Sequence, residues 1–162
     1  MSQPPVRSPA LAELERKGIP YRLFIHKAPI TSLEQAAAER GQDPEQVVRS
    51  ILFRLSQGEF FLALVAGPQQ VNWRGLRRTF NQSRLTMASP EEVERITGYK
   101  PGTVSPFGLP EPLPVIADPN VFAPKEISLG SGVRGVAIIM TTADLRVALG
   151  KVSILPLVEP EG

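Results

Sequence analysis

Arg49-Ser50-Ile51-Leu52-Phe53-Arg54-Leu55, then Ser56-Gln57-Gly58, then Glu59-Phe60-Phe61-Leu62-Ala63-Leu64-Val65-Ala66, is the stretch on which the fold turns. Two β-rich runs flank a short polar segment that ends in glycine, which is a hairpin signature. Within each run the apolar residues are consecutive rather than alternating. A strand of that kind is buried on both faces. The hairpin is therefore expected inside a sheet covered on both sides, and Gly67-Pro68 breaks its second strand.

Outward from the hairpin, helix and strand signals are mixed. Upstream, Pro9 to Lys17 places Leu11 and Leu14 on one face and stops at Gly18, so a helix is expected. Tyr21 to His26 reads as a strand. Thr31 or Ser32 caps a helix through Glu39 that ends at Gly41, and Asp43-Pro44-Glu45 starts another short helix ending near Val48. Downstream, Asn72 precedes a helix from Trp73 to Phe80, and Arg84 to Met87 reads as a short strand. Ser89-Pro90-Glu91-Glu92 opens a helix that stops at Gly98. Val115 to Ala117, Ile127 to Leu129, Gly135 to Met140 and Val152 to Val158 read as strands, and Thr142 to Leu149 as a helix. The order is neither regular βαβ alternation nor all-β. It predicts an α+β fold, a single domain with a mixed β-sheet and surrounding helices. The expected limits are an extended tail over 1–8, one domain over 9–158 and a tail over 159–162.

Composition narrows the chemistry. The chain has 162 residues, no cysteine and one histidine. Disulfides, cysteine-based zinc sites and cysteine nucleophiles are excluded. A Ser-His-Asp site would have to use His26, which stands at a strand end and reads as structural or surface. Apolar residues are 42% and charged residues 21%, as in a soluble globular protein. No window approaches a membrane span of about 18 apolar residues, and Met1 to Ala10 lacks a signal-peptide core. A cytoplasmic protein is expected. Seventeen prolines are about twice the usual share of ~5%. They gather at both ends and between Pro101 and Pro124, where they stiffen a long irregular connection.

The net charge is only +2, yet arginines outnumber lysines 13 to five. From Arg49 to Arg84 there are six arginines and a single acid, Glu59. Such a segment fits a nucleic-acid backbone, and equally a solvated helix face. Arg49 opens an apolar strand, so its guanidinium must be paired or must face a cleft. Gly130-Ser131-Gly132 lies between two strands and reads first as a hairpin turn. From Thr97 to Gly108, glycines and prolines bracket short hydroxyl residues. A loop of that kind presents backbone N–H groups and hydroxyls to a small polar group, or serves as a wide structural turn.

Several of these blocks together resemble the YbaK/prolyl-tRNA-synthetase-associated domain family of aminoacyl-tRNA editing proteins. They are Asp43 to Phe53, Met87 to Val93, Thr97-Gly98-Tyr99, Gly102-Thr103-Val104-Ser105-Pro106-Phe107-Gly108, Leu113 to Asp118 and Gly132 to Gly135. The similarity spans roughly Leu11 to Leu157. It implies a free-standing factor that hydrolyses the ester of a wrong amino acid, typically alanine or cysteine, on tRNA(Pro). The resemblance implies no metal and no cofactor, and assistance from the 2′-hydroxyl of the tRNA's terminal adenosine. The implied partners are the acceptor end of mischarged tRNA and prolyl-tRNA synthetase.

Carried onto this chain, Arg49 occupies the position of the family's lysine and Ser50 the small polar position beside it, the two expected catalytic residues. Gly102, Thr103, Ser105, Pro106 and Gly108 form the substrate loop. Phe24 stands where some members have tyrosine, and Gly130 and Ser131 where some have serine followed by glycines. The departures at Arg49 and Phe24 motivate an alternative: a non-catalytic tRNA- or synthetase-binding accessory module of the same fold.

Overall fold

The computed structural model describes residues 6–159. Pro4, Pro5, Pro160 and most of both expected tails lie outside the described residues. The chain runs α1 (Pro9–Arg16), β1 (Arg22–Ile25), α2 (Leu33–Glu39), β2 (Val48–Arg54), β3 (Phe60–Ala66), α3 (Trp73–Phe80), β4 (Thr86–Met87), α4 (Pro90–Thr97), β5 (Val115–Ala117), β6 (Glu126–Gly130), β7 (Val136–Thr141), α5 (Thr142–Leu149) and β8 (Ser153–Ile154). The architecture is α+β. Its strands divide into a five-stranded mixed sheet, β4-β2-β3-β5-β8, and a three-stranded antiparallel sheet, β1-β7-β6.

The β2–β3 hairpin is the centre of the larger sheet, with Val48 opposite Ala66 and Arg54 opposite Phe60. β5 joins β3 in parallel, and β8 joins β5 in parallel. As the apolar runs predict, β3 is buried at every position. Its two faces serve two cores. Leu64 and Ala66, with Val48, pack against Leu129 and Ile138 of the smaller sheet and Leu14 of α1. Phe61, Ala63 and Val65, with Phe53, pack beneath Leu76 of α3. Phe53 and Phe61 stack at 5.2 Å, and Trp73 meets Phe53 edge-on at 5.2 Å. A single parallel bridge, Val47 to Ser128, ties the two sheets where β2 begins.

Helix starts follow their caps. Ser8, Ser32, Asn72, Ser89 and Thr141 each accept a backbone N–H two or three residues into the helix that follows. Three expectations are corrected. The segment opening at Asp43 is one 3-10 turn, Pro44–Gln46, and β2 starts directly after it. The strand expected over Arg84 to Met87 is only Thr86–Met87. The final strand expected over Val152 to Val158 stops at Ile154, with an isolated bridge from Val158 to Val71. Pro156 has no N–H for a ladder, and the Leu157 N–H is drawn away to Asp118 Oδ2 at 2.8 Å. Among the described residues, no helix is long and apolar enough to cross a membrane.

Candidate active site

Where β2 begins, the two sheets and one side of α2 enclose a cleft of about 360 Å³. Arg49, Ser50, Gly102, Thr103 and Gly130 line it, so five of the ten residues singled out from the sequence meet there. Its other walls come from α2 (Leu33, Ala36, Arg40), Val104 and the β6–β7 turn.

The wall formed by the glycine segments depends on backbone approach. A Cβ on Gly130 would lie 2.1 Å from the Val104 carbonyl oxygen, so only glycine fits there. The Gly132 N–H then donates to the Thr103 carbonyl at 2.9 Å. The 102–104 loop and the 130–132 turn are thus joined main chain to main chain. Thr103 Oγ1 closes the loop by donating to the Lys100 carbonyl at 2.8 Å.

Strand alternation separates the two residues expected to act together. Ser50 leaves β2 on the face shared with Val48 and Leu52, whereas Arg49 leaves on the face shared with Ile51 and Phe53. The Arg49 guanidinium donates through Nε to the Gly67 carbonyl at 2.9 Å and through Nη2 to the Gln69 carbonyl. Burial pulls its pKa down, and no carboxylate pairs with it among the described residues. The Ser50 hydroxyl is buried and has no hydrogen-bond partner among the described residues. A buried hydroxyl without a partner is costly, and Ser50 is the strand residue at which that cost falls in the cleft wall.

The remaining five residues do not line this cleft. Phe24 lies on β1 and meets the His26 ring edge-on at 4.9 Å. Ser105 is fully buried, and its Oγ accepts the Phe107 N–H at 3.4 Å. Pro106 lines a separate cavity with Glu13, Lys17 and Leu109. Gly108 docks on α1, with its N–H donating to Glu13 Oε1 at 3.1 Å and the Pro9 backbone where a Cβ would stand. Ser131 closes its turn, its Oγ donating to the Val136 carbonyl at 2.7 Å and accepting the Val133 N–H at 3.1 Å.

A larger groove of about 670 Å³ lies between Gly67–Gln69, Asp118–Asn120 and Pro156. Charge separates the two hollows. The larger one has Glu45, Asp118 and Glu159 in its lining and no lysine or arginine, whereas the smaller has Arg40 and Arg49 and no carboxylate. The Arg49 guanidinium itself reaches the Gly67 and Gln69 carbonyls at the edge of the larger groove, which leaves Arg40 as the cation of the smaller one. Arg40 was not anticipated. At a helix end just before Gly41 it reads as a solvated terminus, and no local pattern reveals that β1 and β6 will fold against it. No group of three or more His, Cys, Asp and Glu side chains is placed to hold a metal ion among the described residues.

Comparison with known proteins identifies the family. The model of the aminoacyl-tRNA editing domain matches residues 27–148. A multifunctional Ser/Thr-tRNA deacylase, ProXp-y, of Escherichia coli K12 is 29% identical over 143 residues, covering 85% of each chain. Proline–tRNA ligase of Bacillus licheniformis is 32% identical over 107 residues, which are 66% of this chain but only 18% of the ligase. The crystal structure of a proposed trans-editing enzyme for prolyl-tRNA synthetase superposes with a TM-score of 0.83 at 27% identity, over 96% of this chain and all of the other. The chain belongs to the aminoacyl-tRNA editing domain family.

Proposed function

We propose that this protein is a trans-editing deacylase that hydrolyses the ester between tRNA(Pro) and a small wrong amino acid such as alanine or cysteine. The observation that carries the reading is the cleft at the start of β2. It brings the Arg40 side chain, Ser50 and a glycine-built wall to a space of about 360 Å³, at the strand position where Arg49 stands. The deacylase activity of the E. coli relative and its Ser/Thr-tRNA substrates extend the panel to be tested.

In this reading Ser50 donates to the ester or the amino acid. The Gly102–Val104 loop and Gly130 confine the ester against the main chain. Water attacks the carbonyl carbon, and the bond to the ribose oxygen breaks. The 2′-hydroxyl of the terminal adenosine relays the proton to the departing oxygen, which leaves a free amino acid and tRNA with its terminal diol. No protein nucleophile is required, because orientation and preorganised donors lower the barrier of an already reactive ester. Arg49 holds the Gly67–Gln69 loop from the opposite face of β2.

The engagement of Arg49 with two backbone carbonyls favours a second reading, a non-catalytic module that binds tRNA or a synthetase. A deacylation panel of Ala-, Cys-, Ser- and Thr-charged tRNAs, including tRNA(Pro), decides between them. The deacylase reading expects hydrolysis above background for at least one pair, with most of that rate lost in Arg49→Ala. Salt-sensitive tRNA binding with no hydrolysis of any pair selects the accessory module.

A further inference from the structure

Arg40 is the C-terminal cap of α2, and its side chain is fixed from two sides. Its Nε donates to His26 Nε2 at 3.0 Å, and its Nη1 donates to Ser128 Oγ at 2.9 Å. Both acceptors are themselves held. A His26 Nε2 that accepts leaves the proton on Nδ1, which meets Glu39 Oε1 at 2.9 Å. Ser128 Oγ donates to Gln42 Oε1 at 2.6 Å, and Gln42 Nε2 donates to Glu126 Oε1 at 3.2 Å. The His26 side chain and Ser128 are both fully buried. The chain thus commits five polar side chains, spread from β1 to β6, to orienting one guanidinium beside the cleft.

Charge makes this arrangement unusual. Arg40 has no ion pair among the described residues, since Glu39 turns its carboxylate to His26 and Gln35. Its Nη2 has no hydrogen-bond partner among the described residues. Burial lowers its pKa, with Glu39 opposing weakly. A cation partly removed from water, with its nearest carboxylate engaged by other side chains, is stabilised when a ligand supplies an anion. No carboxylate lines the cleft to compete for it.

We propose that Arg40 is the anion-binding residue of the cleft and seats a phosphate oxygen of the substrate's terminal nucleotide, with His26 and Ser128 as its positioning residues. The inference rests on the tRNA reading above, because the acceptor end of tRNA brings a phosphate within one nucleotide of the ester. A planar guanidinium matches a phosphate with two N–H groups. Division of labour follows: Arg40 on α2 fixes the nucleotide, while Ser50 on β2 meets the aminoacyl group.

The test compares binding of adenosine 5′-monophosphate with that of adenosine, by isothermal titration or NMR. The unmutated protein is expected to bind the monophosphate about tenfold or more tightly, the scale of one charge-assisted bond. Arg40→Gln loses that preference and leaves adenosine binding in place. His26→Leu reduces the preference and His26→Gln, which keeps an acceptor, restores it; a packing defect alone would not be rescued in this way. Equal binding of the two ligands by the unmutated protein overturns the proposal, as does a preference that survives in Arg40→Gln. If Arg40→Gln does not fold, the Arg40 Nε–H resonance of the unmutated protein decides. It must shift with the monophosphate and not with adenosine. Neither arm needs hydrolysis. A phosphate preference without any deacylation removes only the deacylase reading, and deacylation without the preference removes only the role of Arg40.

Discussion

Ser50 shows how much a single side chain can say. Its hydroxyl is buried without a partner, so it contributes nothing favourable to the folded state and costs about 1–3 kcal/mol in lost solvation. Ser50→Ala is therefore expected to keep or raise the melting temperature, by a few degrees at most, while kcat/KM for deacylation falls about tenfold or more. A stable variant with full activity would leave Ser50 with no role. Tyr99 is the opposite case, a polar atom placed for the fold. Its hydroxyl donates to the Phe107 carbonyl at 2.5 Å, and burial, with the nearby negative charge of Glu13, pushes its pKa up. The folded-state pKa lies above the unfolded one, so the neutral phenol's stabilisation is complete below about pH 10 and is lost as pH rises toward the raised value. Tyr99→Phe is expected to cost about 1–3 kcal/mol at pH 8. In urea unfolding the gap between the two proteins should narrow from about pH 10 upward; a constant gap would refute the assignment. At this scale the sequence was only partly legible. Ser50 could be named from its neighbours, but its separation from Arg49 follows from strand alternation, which sends adjacent side chains to opposite faces. Arg40 needed the tertiary meeting of α2 with β1 and β6.

At the scale of elements, the apolar runs of β2 and β3 and the capping residues carried most of the reading, because burial and capping are written in local residue types. Ser89-Pro90-Glu91-Glu92 opened the helix expected of it, and does so through a reciprocal capping box. Val152 to Val158 misled because its apolar content was real, while the hydrogen bonds that end the strand come from distant Asp118. The glycine turn was legible as a turn, but its close approach to Val104 was not, since the partner lies 26 positions earlier. That approach can be tested. Gly130→Ala places a methyl 2.1 Å from a carbonyl oxygen that is itself in main chain. Gly135, at φ +77°, has open space around the same atom. Gly135→Ala should therefore cost only the left-handed backbone penalty of about 1–2 kcal/mol. Gly130→Ala must displace the 102–104 loop and should lower the melting temperature at least twice as far, with a larger loss of deacylation. Equal shifts would mean that the loop moves aside freely.

For the whole molecule the governing feature is the distribution of arginine. The chain is nearly neutral, but Arg54, Arg84 and Arg95 are exposed around one hollow at the far end of the β2–β3 hairpin, and Arg74, Arg77 and Arg78 are exposed on α3. Arg54 lies five residues along β2 from Arg49, about 17 Å at the usual rise of a strand, so a duplex entering the cleft by its end would lie within reach of this patch. Some of these arginines have work within the fold. Arg77 sits 5.5 Å over the Trp73 ring and donates to the Leu85 carbonyl at 3.4 Å, Arg95 sits 5.8 Å over Phe60, and Arg54 pairs with Glu92 at 3.3 Å. Arg74 and Arg78 have no such engagement among the described residues, and both project from α3 into solvent. Phosphate contacts set affinity without regard to the amino acid carried, and each contact adds about 0.9 to the slope of log affinity against log salt. The double variant Arg74→Ala/Arg78→Ala is thus expected to bind every tRNA in the panel more weakly by a similar factor. Its salt slope should fall by about one to two and its melting temperature should barely change. Filter binding or fluorescence anisotropy from 50 to 200 mM salt reads this directly. An unchanged slope would move the tRNA off α3.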